Sequence, residues 1–389
     1  MRRVLGILVF AAWSSACGSS SPDSRAVATT VDSAGAFPVT KLTGDGAAWI
    51  AERVAVVGAG PDGGSEFGSV RSVLLDARGF LYVLDPSNVQ VSVYDETGAF
   101  RQHLGRKGAG PGEYRSPYSI ALLGDSIALS DPSLSRISLI GPDGAWLREW
   151  PTPPNTGPQA VRLYRTPPES FWAYATIFAR SGPERVFIRY EASGPTDTLP
   201  IPKSSVTAGT GITCNSPNRS ISFYSQPFGA TPIAVPTPEG ERAVAVSSAY
   251  RISFLGRSGD TLRALERDVT APRLSDAEWA EATEKWQAFR RKLPAAHCTK
   301  DGFERPPVRP LLGMIFFDDE QRMWVEVFTA TGQQYDVYDP KGSLVGTVNG
   351  LPPSSGIEPS VAAGRIALVV QDSLDEQVVH VFRIRPGEP

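Results

Sequence analysis

The chain has 389 residues, and its 38 Lys and Arg against 41 Asp and Glu give a formal net charge of −3. This balance excludes the strongly basic surface with which nucleic-acid-binding domains attract phosphates. Hydrophobic residues make up 41% and charged residues 20% of the chain, which excludes a wholly disordered protein. The 37 Gly and 34 Pro exceed average usage and predict many tight turns in place of long helices.

The N-terminus predicts an exported protein. Arg2 and Arg3 precede an apolar run from Val4 to Trp13. At about ten residues this run is too short for a transmembrane helix, which needs roughly 20. A basic start, a short apolar run and small residues after it are typical of a cleaved signal peptide, which we assign to residues 1–16.

The residues that follow resemble the end of a bacterial lipobox, because Ser15-Ala16 precede Cys17. The resemblance implies that the Cys17 thiol carries a lipid and attaches the protein to the membrane. Residues 17–36 are then a flexible tether. Position 18 is Gly and not Asp, which by resemblance to the lipoprotein sorting rule of bacteria favours the outer membrane if the organism has one. The alternative is an ordinary secreted protein in which Cys17 is removed or has no role.

Residues 52–148 contain an internal repeat. Gly58 and Gly105, like Glu66 and Glu113, are 47 positions apart, and Asp85-Pro86-Ser87 recurs 46 positions later. Short alternating strands separated by turns fill each repeat, and a period of 40–50 residues is typical of β-propeller blades. Weaker versions of the pattern follow to the C-terminus. We therefore predict an all-β, six-bladed β-propeller over residues 37–389.

The last predicted blade lacks a fourth strand at the C-terminus. Residues 52–57, ahead of the first blade, form an unassigned strand. We expect this N-terminal strand to pair with residues 377–385, which closes the ring and leaves no exposed sheet edge.

One stretch resembles the NHL-repeat pattern of bacterial six-bladed propeller lipoproteins. Its glycine-rich loop at 105–112 is followed by Tyr114 and Pro117, then by a strand ending in Asp131, Arg136-Ile137 and a turn at Gly144. The resemblance implies the propeller fold. It implies no particular activity.

Two links between blades are long, at 200–224 and 268–310, and each holds one cysteine. We predict a disulfide between Cys214 and Cys298, since a disulfide persists in an oxidising compartment. Two free thiols, or a metal site that includes His297, are the alternatives. Links between propeller blades lie on one face of the ring, so both insertions should lie on that face and be able to meet.

The second insertion predicts one helix, between blades four and five. Ser275 and Glu278 form a capping box, and the helix ends at Leu293, before Pro294. An apolar stripe consists of Trp279, Ala282, Trp286, Phe289 and Leu293. The stripe packs on the propeller as a buttress or, alternatively, the helix covers the central channel.

Most candidate site residues have a structural interpretation. The Gly58–Gly63 pattern G-x-G-x-x-G is not followed by a helix, so we expect turns and no cofactor there. Asp85 and Asp131 are expected to accept hydrogen bonds from neighbouring turns. A candidate binding face consists of Arg106, Lys107, Tyr114 and Arg115.

The sequence therefore predicts a monomeric binding or scaffolding protein of the cell envelope. Its ligand or partner, a protein or a carbohydrate, would meet the face that bears the insertions. The alternative is a metal-dependent hydrolase or lyase, similar to lactonase and amidating-lyase propellers, with its site in the central channel. No metal ligand, catalytic residue or cofactor is assigned.

Overall fold

The computed structural model describes most of the chain from residue 27 onward. The described ranges are 27–33, 35–58, 66–153, 156, 161–166, 169–203, 211–215, 220–292, 297–372 and 375–387. The predicted signal peptide, 1–16, and the predicted lipid acceptor Cys17 lie outside these ranges.

Three strands precede blade one: β1 (Ala28–Asp32), β2 (Val39–Thr43) and β3 (Ala48–Val57). The repeats then form blades, whose strands run from the central axis outward. Blade one has β4 (Ser72–Leu75), β5 (Leu81–Asp85), β6 (Gln90–Tyr94) and β7 (Phe100–Leu104). The link to blade two contains β8 (Arg106–Lys107) and β9 (Glu113–Tyr114). Blade two has β10 (Ser119–Leu123), β11 (Ser126–Asp131), β12 (Arg136–Ile140) and β13 (Trp146–Pro151).

The remaining blades repeat this order. Blade three has β14 (Arg162–Thr166), β15 (Ser170–Ala179), β16 (Gly182–Glu191) and β17 (Gly194–Pro200). Two strands of the first insertion, β18 (Ile212–Asn215) and β19 (Ile221–Tyr224), come next. Blade four has β20 (Pro232–Pro236), β21 (Arg242–Val246), β22 (Arg251–Leu255) and β23 (Thr261–Arg267). The second insertion holds helix α1 (Asp276–Lys292) and β24 (His297–Cys298). Blade five has β25 (Leu312–Phe317), β26 (Met323–Thr329), β27 (Gly332–Tyr338) and β28 (Leu344–Asn349). Blade six has β29 (Ser360–Ala362), β30 (Arg365–Gln371) and β31 (Gln377–Pro386).

The ring closes as predicted, because the N-terminal strand β3 is the fourth strand of blade six. It pairs antiparallel with β31 over a register that runs from Trp49 opposite Pro386 to Val57 opposite Val379. The chain ends are thereby hydrogen-bonded together, and six blades form one closed array. The prediction of a six-bladed β-propeller is confirmed.

The hydrophobic core lies between neighbouring blades. One cluster joins Val73 and Val83 of blade one to Val369 and Val379 of blade six, and its members are almost entirely buried. Burial of a Val or Leu side chain stabilises a fold by roughly 1.5–3 kcal/mol. Each blade therefore depends on its two neighbours for most of its buried apolar surface.

The predicted tether, 17–36, is wrong in its C-terminal part. Residues 28–32 form strand β1, which pairs antiparallel with β2. Strand β2 in turn pairs in parallel with β23, so the outer edge of blade four gains two strands. Backbone N–H and C=O groups on that edge would otherwise lack partners, which is why an extended N-terminal segment binds there.

A buried ion pair fixes the path of this segment. Arg267 of blade four binds Asp336 of blade five, and both side chains are almost completely buried. The same guanidinium donates to the Gly44 carbonyl at 2.9 Å and to Asp45 at 2.6 Å. Tyr250 donates to Asp336 at 2.8 Å. The N-terminal segment, blade four and blade five are thus connected through one guanidinium group, that of Arg267.

The two insertions meet as predicted. Cys214 of β18 and Cys298 of β24 are register partners in an antiparallel pair, and their sulfur atoms are bonded at 2.10 Å. Together with β19 they form a three-stranded sheet beside the propeller. The predicted disulfide is present in the structure.

Helix α1 begins with the predicted capping box. Glu278 N donates to Ser275 Oγ at 3.3 Å, while Ser275 N donates to Glu278 Oε2 at 2.9 Å. Asp276 and Glu278 lie in the first turn, where the helix dipole favours negative charge. Within the described ranges, none of the helical residues form a segment that is long and apolar enough to cross a membrane.

The apolar stripe of α1 packs on the insertion sheet and not on a blade. Trp286 is buried against Ile212 and Cys214, and Phe289 packs at the edge of the same cluster. Ala282 is exposed, and Thr283 is buried in its place. The predicted stripe is therefore wrong at Ala282. The Thr283 hydroxyl donates to the Trp279 carbonyl at 2.8 Å, which lets a polar residue occupy the buried side.

Candidate functional site

One face of the ring carries both insertions, and we call it the insertion face. In each blade the chain enters at the innermost strand and leaves at the outermost one. Since all innermost strands run in the same direction along the central axis, the links between blades all open on one side. The links at 201–231 and 268–311 are the two long ones, so the insertion face also carries the disulfide-linked sheet.

The walls of the channel come from the innermost strands of five blades. Hydrogen bonds between neighbouring blades hold these strands together: Leu75 N donates to Ser360 Oγ at 2.8 Å, and Leu163 N donates to Ser119 Oγ at 3.0 Å. They enclose a cavity of about 230 Å³. Such a volume is below the roughly 300–1,000 Å³ of drug-sized pockets and suits a small ligand.

The mouth of the channel on the insertion face is rich in arginine. Arg71 stands with its guanidinium carbon 5.1 Å from the centre of the Tyr118 ring. Arg162 lies over the Tyr164 ring at 5.0 Å and donates to Glu358 Oε2 at 2.6 Å. Among the described residues Arg71 has no carboxylate partner. The mouth thus holds two guanidinium groups and one carboxylate.

Burial affects the ionisation of this pair. Desolvation raises the pKa of Glu358, and the Arg162 charge offsets part of that rise. Desolvation acts against the charged form of Arg162 as well, but Glu358 and the neighbouring tyrosines raise its pKa overall. Glu358 therefore takes up a proton at a higher pH than an ordinary glutamate, and that proton leaves Arg162 without its partner.

A third arginine lies deeper in the channel. Arg165 Nη1 donates to the carbonyls of Leu75 and Val361 at 3.1 and 3.2 Å, so it connects blade three to blades one and six. Burial lowers the pKa of Arg165, and Asp319 and Asp318 act in the opposite direction. The described lining of this cavity therefore carries three arginines and one glutamate.

The predicted binding face is only partly at the surface. Arg106 and Arg115 are exposed, and Arg106 donates to Glu113 Oε1 at 3.0 Å. Lys107 is exposed beside them. Tyr114 is fully buried, so its assignment to a binding face is wrong. Its ring packs on Gly105, where an added Cβ would approach the ring to 2.5 Å, which explains the recurring glycine at this position.

The recurring aspartates have the structural role expected of them. Asp85 accepts from Gly68 N at 2.8 Å and from Ser87 N at 3.0 Å. Asp131 accepts from Arg115 N at 2.7 Å and from Ser133 N at 3.0 Å. Each carboxylate thus joins the turn that follows its own strand to the link that precedes its blade, and neither faces the channel.

The channel residues were not among the predicted site residues. The repeat indicates two of these residues, because Arg71 and Tyr118 are 47 positions apart, the same spacing as Gly58 and Gly105. The repeat register therefore places both side chains at the start of an innermost strand. Arg162 and Glu358 come from blades whose repeats have diverged, and only the closed ring brings them to the same opening.

Comparison with known proteins supports the fold. Residues 65–137 match the model of a family, DUF5128, that is described as a 6-bladed beta-propeller. The chain is a six-bladed β-propeller. The matched segment covers blade one and the first two strands of blade two, where the internal repeat is clearest. No curated protein matches the chain.

Solved structures of propellers resemble it over most of its length. A protein of Bacteroides fragilis described as exported shares 12% identity, covering 90% of this chain and 100% of its own, with a TM-score of 0.47. A DUF4221 family member from Bacteroides vulgatus shares 10% identity, covering 94% and 100%, with a TM-score of 0.47. Virginiamycin B lyase from Staphylococcus aureus shares 9% identity, covering 85% and 87%, with a TM-score of 0.38. At these identities the likeness concerns the fold alone.

Metal ions are bound by several side chains that lie close together. Within the described ranges, no group of three or more His, Cys, Asp or Glu side chains could hold a metal ion.

Proposed function

We propose that this protein is an exported, envelope-anchored binding protein that captures a small anionic ligand at the channel mouth of the insertion face. The observation that carries the proposal is the pair of arginines at the mouth: Arg71 and Arg162 are accompanied only by Glu358 among the described charged residues of the lining there, whereas the deeper Arg165 has Asp319 and Asp318 near it.

The chemistry of the mouth favours carboxylates, phosphates and sulfates. A guanidinium group can donate two parallel hydrogen bonds to such an anion. Arg71 rests on the Tyr118 ring and is available for this contact. Arg162 becomes available when a ligand displaces Glu358 or when Glu358 takes up a proton. Since the cavity is partly enclosed, its lower dielectric strengthens the attraction relative to bulk water.

The proposed location rests on the N-terminal sequence. Residues 1–16 serve as the signal peptide, and Cys17 carries the lipid, with the outer membrane favoured by Gly18. The Cys214–Cys298 disulfide is compatible with an oxidising compartment. Cells fed a labelled fatty acid should incorporate it into the wild-type chain and not into Cys17→Ser. Equal incorporation into both chains would exclude this anchor.

Calorimetric titration at low ionic strength tests the proposed ligand class. Succinate, phosphate and sulfate are titrated into the purified protein, with succinamide as the uncharged match for succinate. We expect at least one anion to bind, and succinate to bind at least tenfold more tightly than succinamide if it is the ligand type. Arg71→Ala should weaken anion binding about tenfold, because it removes a charge-assisted contact.

The control variants are Arg106→Ala and Lys107→Ala, since both exposed cations lie in a link on the same face but outside the channel lining. If these variants reduce binding while Arg71→Ala does not, the exposed cations and not the channel form the site. Absence of binding by all three anions would refute the proposal. Stoichiometric calcium or zinc in the purified protein would favour the hydrolase or lyase alternative.

A further inference from the structure

A second cavity opens on the insertion face between blades three and four. Its volume is about 530 Å³, within the range typical of ligand pockets. Tyr164 and Tyr174 of blade three form one wall, and β20 and β21 of blade four form the other. We call it the blade 3–4 cleft. It is separate from the channel, although Tyr164 lies between the two.

The cleft exists because small side chains face large ones across a fixed gap. Blade four contributes Ala234, Ala245 and Ala249 to its wall. Beneath it, Trp172 and Phe187 of blade three are fully buried and form a rigid floor. Since the closed ring holds the blades at a set distance, the alanines cannot approach the tyrosines to fill the space.

Positive charge lines one side of this apolar space. Arg185 of β16 and Lys203 of the following link are exposed at its rim, and the Ile201 amide donates to the Arg185 carbonyl at 2.8 Å, which holds the start of that link beside β16. No acidic residue belongs to the described lining, and the sequence 201–231 contains neither Asp nor Glu. The third cation, Arg251, is already paired with Glu266.

We propose that the blade 3–4 cleft binds a single-chain anionic amphiphile, an alkyl carboxylate. Its chain would lie between the two tyrosines and the alanine wall, and its carboxylate would bind Arg185 and Lys203. The apolar walls select against small polar anions, and the unbalanced cations select against amphiphiles with a cationic head. This inference does not depend on the function proposed for the channel.

Calorimetric titration of octanoate, decanoate and dodecanoate below their micellar concentrations tests the inference on the full mature protein. Affinity should rise about fourfold for each added methylene group, as expected for burial of the chain. Dodecyltrimethylammonium, which has the same chain and the opposite charge, should bind at least tenfold more weakly than dodecanoate.

Variants locate the site. Lys203→Glu should weaken dodecanoate binding about tenfold, and Ala249→Trp, at an exposed position of the wall, should reduce it at least as much by occupying the cleft. Lys341→Glu is the matched control, because Lys341 is an exposed lysine on the turn between β27 and β28, on the opposite face. Circular dichroism confirms that each variant is folded.

Three results would overturn the inference: absence of dodecanoate binding, equal binding of the cationic amphiphile, or unchanged binding in both cleft variants. The channel site is distinguished in the same experiment. Arg71→Ala should leave dodecanoate affinity unchanged, and succinate should not compete with dodecanoate.

Discussion

At the residue scale, the same side-chain type has different roles according to its place in the blade. Asp85 and Asp131 at strand ends accept several backbone N–H groups and stabilise turns. Glu358 faces the channel, has one described hydrogen-bond partner, Arg162, and is desolvated. A carboxylate whose hydrogen bonds are satisfied by the backbone is structural, whereas one that depends on a single side chain in a cavity can exchange that partner for a ligand.

The ionisation of Glu358 predicts a pH dependence of anion binding. Desolvation raises the pKa of Glu358, so lowering the pH from 7 protonates it earlier than an ordinary glutamate. Protonation removes a negative charge and frees Arg162, while Arg71 and Arg165 stay cationic. The affinity for sulfate, which does not titrate in this range, should therefore rise as the pH falls from 7 toward 5.

Glu358→Gln isolates this effect. The variant should bind sulfate about tenfold more tightly at pH 7, a factor that corresponds to roughly 1.4 kcal/mol. Its affinity should also lose most of its dependence on pH. If wild-type affinity is constant between pH 7 and pH 5, or falls, Glu358 does not control access to Arg162.

At the scale of elements, the two insertions form a small folded unit of their own. Helix α1 buries Trp286 against the sheet that the disulfide joins. Arg309 binds Glu278 at 2.9 Å and Arg305 binds Asp276 at 2.6 Å, which fastens the first turn of the helix to the segment that returns to blade five. This unit is held to the ring by few residues, so its stability can change while the blades stay intact.

The disulfide is therefore predicted to stabilise mainly this unit. In the double variant Cys214→Ala with Cys298→Ala, amide hydrogen exchange should accelerate across 211–215, 220–224 and 276–292. Alanine is used because Cys214 is fully buried, where a serine hydroxyl would need a hydrogen-bond partner. Exchange in the strands of blades one and two should stay within error of the wild type.

Mass spectrometry after timed exchange makes this measurement. Cys17→Ser serves as the control, since it removes a cysteine outside the described residues and should leave all of these segments unchanged. Uniform acceleration through the whole chain would show that the disulfide stabilises the ring as a unit and would contradict the prediction.

At the scale of the whole molecule, the N-terminal segment has two separate roles. Strands β1 and β2 cover the outer edge of blade four, and Asp45 extends the buried Arg267–Asp336 pair. Strand β3 completes blade six and closes the ring. Closure covers the outer edge of β31 and joins the two ends of the ring, whereas β1 and β2 add local stability at the edge of blade four.

Two truncations separate these roles. A chain that lacks residues 1–47 retains β3 and should remain a folded monomer with a lowered melting temperature, because the ring is still closed. A chain that lacks residues 1–57 leaves β31 paired only with β30, with an open outer edge, and should aggregate or unfold. Size-exclusion chromatography and thermal unfolding distinguish them, and equal behaviour of the two chains would show that β3 does not close the ring.

The blade pattern was predictable from the sequence because it is local. A period near 47 residues, alternating apolar side chains and turn glycines all follow from strand geometry and the steric demands of turns. Ring closure was predictable too, because an unassigned N-terminal strand matched a missing C-terminal one. The pairing of Cys214 with Cys298 follows from the same topology, since both lie in links that open on one face.

The sites depend on distances that no local pattern contains. Tyr114 lies in an exposed link between two blades, yet its side chain is buried because the ring packs on Gly105. Arg71, Arg162 and Glu358 come from three blades and meet only because the ring closes. The amino-acid sequence alone determined the kind of blade, the number of blades and the order of their strands, since each repeat specifies its own turns and buried face. The tertiary structure decided which polar side chains face the channel and the cleft, because those contacts join residues far apart in the chain.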